Sequence, residues 1–575
     1  MKLSQFVLLG LSGLVRYALC TQGDICYILG AKTSLVDDRL FFMSGNYSSV
    51  SFDSQEIAPS SSLLSLNLTS QFPVERSIPQ ALLNNDTIES AFSAAYESTV
   101  RISNGDATGA IWNTKDTIYV FGGGFKKPTN TLSAYNVTTN QWKEVNVTGG
   151  NFNFGNRTSS QYVSVPDLGL GFIYGGTDYM GGMIRLNASD PENLSWTNET
   201  LGNGSHGIDV PNLDAGAMVY IPAGDEGMLI TFGGGNITAG ISPDSGWPYD
   251  SNWLTVYVYD IASHTWWAQK ASGDAPSHRT GFCAVVSESP DGSAFHITTY
   301  GGWSLLSQRS FEDVNILSIP SFTWIDATEL SNNTNKEQQV NSTIGRDSLT
   351  GACQAYRGAQ MIVLGGEIRA GAYSLTNGVC SNTFEPVRIL DLSTYKWENE
   401  LNTSASYEVP SVIYDKIGGD DLELPSATGG ATSTIPGAGF ADPTLSSLLQ
   451  KRVGGATVTS STLPSPTKSQ SSNQPGDATP SSSVNSGAIA GGVLGGVVAL
   501  TLIASVAWLL LRRPRQGQPK EAPMYQQYQY RLPSRPPQEM GATYGWQAEA
   551  GSRPIHEVPA ESHVFEMGVT SPTHT

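Results

Sequence analysis

The sequence predicts an all-β fold of about six four-stranded units standing side by side in a ring. Three recurring observations predict it. A β-branched or aromatic run ends in Gly-Gly, an alternating segment follows, and a Trp closes that segment. The runs are TIYVFGG (Gly122, Gly123), GFIYGG (Gly175, Gly176), MLITFGG (Gly233, Gly234), FHITTYGG (Gly301, Gly302) and AQMIVLGG (Gly365, Gly366). Their first glycines lie 53, 58, 68 and 64 residues apart, and RLFFMSGNY, with Gly45, is a degenerate earlier copy. Self-similarity at such intervals marks an architecture of stacked units rather than one folded around a single centre.

Each part of the repeat has a physical role. The Gly pair ends a second strand where the backbone must turn tightly among crowded neighbours. The alternation is that of a third strand with both faces against other sheets. The Trp residues (Trp142, Trp196, Trp266 with Trp267, Trp324 and Trp397) stand near the fourth strand and fill the widening gap between units. The Gly-to-Trp distances are 20, 21, 33, 23 and 32, so the two long copies carry insertions at Asn236–Asn252 and Glu367–Asn382. No unit can bury both faces alone, so the copies must stack, and a ring closes them. Tyr407–Gly418 (YEVPSVIYDKIG) is expected to return as one more strand and close that ring, with 70–99 held open as part of a seventh unit.

This pattern resembles the kelch β-propeller family over roughly Cys26–Ile417. The copy running from His278 to Trp324 is similar to the kelch repeats of fungal secreted and membrane-anchored proteins. The first copy departs from the pattern, since Asn46 follows Gly45 and no Trp comes at the expected distance. The resemblance implies a kelch-type propeller over 21–450, working as a protein- or carbohydrate-binding module. Kelch-like propellers also include copper radical oxidases related to galactose and glyoxal oxidase, and that gives an enzyme alternative. In those enzymes two His and two Tyr hold the metal, one Tyr being linked to a Cys. The four His before residue 487 are His206, His264, His278 and His296; they show no ligand-like spacing. No catalytic, metal or cofactor residue is therefore expected. His278 and Arg279 stand at the start of a repeat, as Arg157 and Arg346 do, and are read as holding the turns between units.

The rest of the chain supplies an address. Residues 1–20 combine a basic start at Lys2, the apolar run Phe6–Val15 and the small residues before Thr21, the pattern of a secretory signal peptide. Residues 451–486 are rich in Ser, Thr, Pro and Gly and read as a stalk. Residues 487–511, GAIAGGVLGGVVALTLIASVAWLLL, carry no charge and as a helix would cross the ~30 Å core of a bilayer. Arg512, Arg513 and Arg515 follow, which places 512–575 in the cytoplasm as a disordered tail. Gly487, Gly491 and Gly495 form a small-residue face suited to helix-mediated dimerisation. The expected location is the plasma membrane with the propeller outside, and a cell-surface spacer without specific ligand is the third reading.

Fourteen N-x-[ST] sequons precede the apolar segment: Asn46, Asn67, Asn85, Asn136, Asn146, Asn156, Asn187, Asn193, Asn198, Asn203, Asn236, Asn332, Asn341 and Asn402. None follows it, and such a one-sided distribution is that of a glycosylated outer domain. Four cysteines remain beyond the signal, an even number in an exported chain. Three pairings are open. Cys353 with Cys380 is preferred because both lie in one repeat, leaving Cys26 with Cys283. The net charge is −19, and residues 1–511 carry −20 of it, which disfavours nucleic acid as a partner.

Overall fold

Six antiparallel four-stranded blades follow one another along the chain, the second and third joined by a short parallel pairing of their outer strands, and the innermost strand of each touches that of the next. The computed structural model describes residues 24–453 except 44–45, 50–57, 60–61, 76, 80–81, 88–108, 122–130, 151–158, 177–181, 200–207, 209, 242–247, 305–308, 333–346, 368, 371–372, 375–384 and 419–438. The chain divides into units Met1–Thr467 and Lys468–Thr575, and every described residue falls in the first. The signal segment, the stalk, the 487–511 span and the tail lie outside the described residues. Among the described residues no helix is long and apolar enough to cross a membrane.

Blade one is Lys32–Val36, Arg39–Met43, Ser62–Asn67 and Leu83–Thr87, so 83–87 is its fourth strand rather than part of a seventh unit. Blade two is Ala110–Asn113, Thr117–Phe121, Thr131–Asn136 and Gln141–Thr148. Blade three is Gln161–Val165, Leu170–Tyr174, Met183–Asn187 and Leu194–Asn198. Blade four is Ala217–Ile221, Met228–Phe232, Thr255–Asp260 and Thr265–Lys270. Blade five is Cys283–Glu288, Phe295–Tyr300, Val314–Ile319 and Thr323–Asp326. Blade six is Asp347–Tyr356, Gln360–Glu367, Val387–Asp391 and Trp397–Glu398. The innermost strands of blades six and one are in contact, which closes the ring at six.

The core lies between blades, one apolar cluster per junction. Trp196, Trp266, Trp324 and Trp397 each sit in the cluster shared with the preceding blade, and Trp142 packs on the edge of the blade one–two cluster. Among the described residues the junction of blades six and one has no Trp. Ile25, Ile28, Leu68, Phe72 and Leu401 fill it instead, which explains why the first repeat lacks the aromatic signal. Backbone bonds from Val74 N to Asn399 O (2.6 Å) and from Leu401 N to Phe72 O (3.0 Å) tie this seam.

Gly122 and Gly123 lie outside the described residues, and the described Gly pairs act as the sequence implied. Gly175 and Gly365 have φ of 71° and 67°, and a Cβ there would stand 2.0 Å from Leu213 O and 2.3 Å from Ile28 O. In both cases the obstructing carbonyl belongs to the segment leading into the next blade.

Three helices complete the described part: α1 (Thr328–Asn332), α2 (Ser411–Ile417) and α3 (Pro443–Leu449). The segment expected to add a closing strand is therefore α2. Its Ile413, Tyr414 and Ile417 are buried at helical spacing on the cluster between blades five and six, and that packing overrides the β-branched composition. Helix α3 buries Leu445, Leu448 and Leu449 on the cluster between blades four and five. Asp442 caps it by accepting from Thr444 N (2.6 Å).

The disulfide expectation is corrected. Cys283 and Cys353 are bonded to each other, with their Cα atoms 5.8 Å apart. Cys26 is also disulfide-bonded, to neither of these two, and Cys380 lies outside the described residues. Residues sharing a repeat need not be close. Cys283 and Cys353 occupy the innermost strands of neighbouring blades, where adjacent repeats bring equivalent positions side by side. The bond spans 70 residues of sequence and staples blade five to blade six. Cys353→Ala is expected to lower unfolding stability by about 2–4 kcal/mol, read from urea titration.

Candidate interaction face and channel

The strands give the ring two unlike faces. Third-to-fourth-strand hairpins and first-to-second-strand turns lie on one, here the turn face. Second-to-third-strand connections and the lead-ins to the innermost strands gather on the other, the loop face. The loop face carries extra sheets. Leu213–Asp214, Gly235–Ile241 and Pro248–Asp250 form one, so the 236–252 insertion is ordered where described. Trp303–Ser304, Arg309–Ser310, Arg369–Ala370 and Tyr373–Ser374 form another, which links the connections of blades five and six.

At the centre of the loop face is a cavity of about 170 Å³. Its rim is a chain of backbone bonds between blades: Ala215 N donates to Ser159 O (2.9 Å) and Gly281 N to Ala215 O (2.7 Å). Ser159, Ala215 and Gly281 all have positive φ, of 57°, 50° and 60°. Below the rim, polar side chains bridge blades. The Tyr162 hydroxyl reaches across from blade three to blade one, accepting from Thr33 N (2.8 Å) and donating to Thr33 O (3.2 Å). Burial pushes its pKa up to about 12, so it stays neutral. Gln354 of blade six donates to Thr33 Oγ1 (3.0 Å), and the Lys32 ammonium stands 5.1 Å from the Tyr162 ring centroid. The Gln161 amide donates to Thr231 Oγ1 (2.7 Å) and Ala217 O (3.1 Å) and accepts from Gly216 N (3.2 Å). These groups are committed to holding the ring, which leaves the surrounding loop face as the larger surface open to a partner.

The residues singled out in the sequence are dispersed. Arg279 is buried at the start of blade five. It donates to Asp313 through both terminal nitrogens (Nη2 to Oδ2 2.8 Å), to Gly301 O and to Ser277 O, and its guanidinium lies 3.7 Å from the Phe311 ring centroid. It holds the blade lead-in, as its repeated position suggested; the adjacent His278 is exposed. Arg157, Arg346 and His206 lie outside the described residues. His264 has φ 56° in a hairpin of blade four, and its Nδ1 faces the Glu199 carboxylate at 2.6 Å. Glu199 also accepts from Thr197 (2.7 Å), Tyr259 (2.8 Å) and Arg185 Nε (3.0 Å). Burial opposes its ionisation, but these hydrogen bonds and the Arg185 charge hold its carboxyl below the usual range. The cluster ties blade three to blade four and was not legible in the sequence, because its members come from separate repeats.

His296 lies in the second strand of blade five, fully buried, with Nδ1 2.8 Å from the Tyr407 hydroxyl. His264 and His296 thus have separate partners in different blades. Among the described residues no group of three His, Cys, Asp or Glu side chains could hold a metal ion.

Burial, partly offset by the charge of Asp291, lowers the His296 pKa to about 3. An unfolded His titrates near ~6.5. Between these values the unfolded chain binds a proton that the folded protein excludes, so stability falls as pH falls. Lowering the pH from 7 to 5 should remove about 2 kcal/mol through this group alone. Urea unfolding of wild type and His296→Gln at both pH values checks this; the variant should lose less stability by about that amount.

Comparison with known proteins agrees with the architecture. A family model described as the KLHDC2/KLHL20/DRC7 Kelch-repeats domain matches residues 82–289, from the last strand of blade one through the first of blade five. A Kelch repeat-containing protein of Arthroderma benhamiae is 25% identical over 563 residues, covering 85% of this chain and 75% of the relative. Both matches are to Kelch repeats, and they support a kelch-type reading of the six-bladed ring.

Proposed function

We propose that this protein is a type I single-pass cell-surface glycoprotein whose kelch propeller binds an extracellular protein through its loop face. The observation that carries this reading is where the chain leaves the ring. Lys451 O accepts from Gly224 N (3.2 Å) and Val453 N donates to Pro222 O (3.2 Å), both at a turn between the first and second strands of blade four. The described chain thus leaves the ring on the turn face, the side opposite the loop face with its added sheets. Kelch propellers generally mediate protein binding, and rigid scaffolds that present loops suit that work. The apolar segment 487–511, the segment 1–20 and the one-sided sequons support the surface location.

Cross-linking of the full chain on intact cells, followed by peptide mapping, tests the reading. Cross-links should concentrate on the loop face, around Lys32 and residues 235–250. Cross-links confined to the turn face, around Asp225 and Lys451, would overturn it. Binding to wall glycan without a protein cross-link would make the ligand a carbohydrate.

A further inference from the structure

Five of the six hairpins between third and fourth strands open on the same side-chain chemistry. The last residue of the third strand is Asn67, Asn136, Asn187, Asp260 and Asp391 in blades one, two, three, four and six. In each, the side-chain oxygen accepts backbone N–H groups of the turn. Asn67 Oδ1 accepts from Thr69 N (2.9 Å) and Thr69 Oγ1 (2.8 Å). Asn136 Oδ1 accepts from Thr138 N (3.1 Å) and Thr139 N (2.9 Å). Asn187 Oδ1 accepts from Ser189 N (3.0 Å) and Ser189 Oγ (2.7 Å). Asp260 accepts from Ser263 N, and Asp391 from Ser393 N and Thr394 N, all at 2.8–2.9 Å. The turn therefore needs an oxygen at this position, and a carboxylate supplies it as well as an amide does.

In blades one to three the residue is an amide, and each amide opens a sequon. The turn fixes its orientation: the oxygen faces the backbone, so the nitrogen faces away. None of the three nitrogens donates a hydrogen bond among the described residues. Asn67 is exposed, Asn136 and Asn187 are half-buried, and Thr69, Thr138 and Ser189 are all exposed. A substituent on these nitrogens leaves every turn bond intact.

We propose that Asn67, Asn136 and Asn187 each do two jobs, the oxygen capping the hairpin and the nitrogen carrying an N-linked glycan. One glycan then stands on the turn face of each of three consecutive blades, away from the loop face. The donor is a lipid-diphosphate-linked oligosaccharide. The bond from asparagine Nδ2 to the anomeric carbon forms, that carbon's bond to the phosphate oxygen breaks, Nδ2 loses a proton, and the lipid diphosphate leaves. This rests on the secretory reading above.

The test uses the full chain from its native host. Enzymatic deglycosylation in heavy-oxygen water, followed by peptide mapping, should return labelled Asp at 67, 136 and 187. Each of Asn67→Asp, Asn136→Asp and Asn187→Asp should remove one glycan-sized mobility step while keeping the Tm of the deglycosylated protein. The matching Asn→Ala variants should lose the same step and also lower that Tm by about 2 °C or more. Label at other sequons but not at these three would overturn the proposal and leave the secretory reading standing. No label at any sequon would overturn both. Equal Tm for the Asp and Ala variants would overturn the capping role.

Discussion

Arg279→Ala is expected to destabilise the propeller by about 3–5 kcal/mol, the cost of removing one partner from a buried, hydrogen-bonded ion pair. The Arg279 side chain is 2% exposed and Asp313 27%, so the pair is largely shielded from solvent screening. The guanidinium does four things at once. It neutralises Asp313 through two parallel bonds, donates to Gly301 O at the Gly-Gly turn, donates to Ser277 O in its own lead-in, and covers the Phe311 ring. Lysine cannot replace it, because a point charge lacks the planar fork that serves a carboxylate and two carbonyls together. Arg279→Lys should therefore recover less than half of the loss in urea unfolding. Recovery to wild-type stability would show that charge alone matters and that the fork does not.

That pair also marks the limit of what a sequence shows. The Gly pairs and the Trp positions were legible because each obeys a local rule repeated from unit to unit: a backbone that turns beside a carbonyl, and a ring that fills a gap. Arg279 could be seen to recur at a blade entrance, but its acceptor Asp313 lies 34 residues away, and only folding brings them together. The cysteines mislead for a related reason. Proximity in a ring of repeats runs between equivalent positions of neighbouring units, so Cys283 meets Cys353 across a blade boundary. Residues 411–417 mislead through composition. Val412, Ile413 and Tyr414 favour a strand by propensity, and the spacing of Ile413 and Ile417 on the core decides for a helix. The hairpin asparagines were visible only as sequons; their turn bonds show why Asp260 and Asp391 stand in the same place.

Trp324→Ala should cost about 3–5 kcal/mol, the range for truncating a fully buried large aromatic. Trp324 is 0% exposed in the cluster between blades four and five. Its ring meets Phe232 edge-on at 5.5 Å and Trp253 at 5.5 Å, and Trp253 in turn lies 4.7 Å from Phe282. Its Nε1 donates to Trp253 O at 3.0 Å. Its own carbonyl accepts from Asp274 N at 3.0 Å and sits 2.3 Å from where a Cβ on Gly273 would fall. The side chain thus fills the junction while the backbone anchors the strand arriving from blade four. Truncation leaves a cavity that the sheets cannot collapse into, since each is fixed by its other neighbour. Trp324→Phe should cost less, because it keeps most of the ring contacts and loses the bond to Trp253 O together with part of the ring volume. If the loss tracks the junction, Trp142→Ala should be the mildest of the Trp truncations. Its side chain lies at the edge of the blade one–two cluster and is only partly buried. Equal losses at Trp142 and Trp324 in urea unfolding would overturn the view that burial between blades, rather than the repeat position itself, sets the energy.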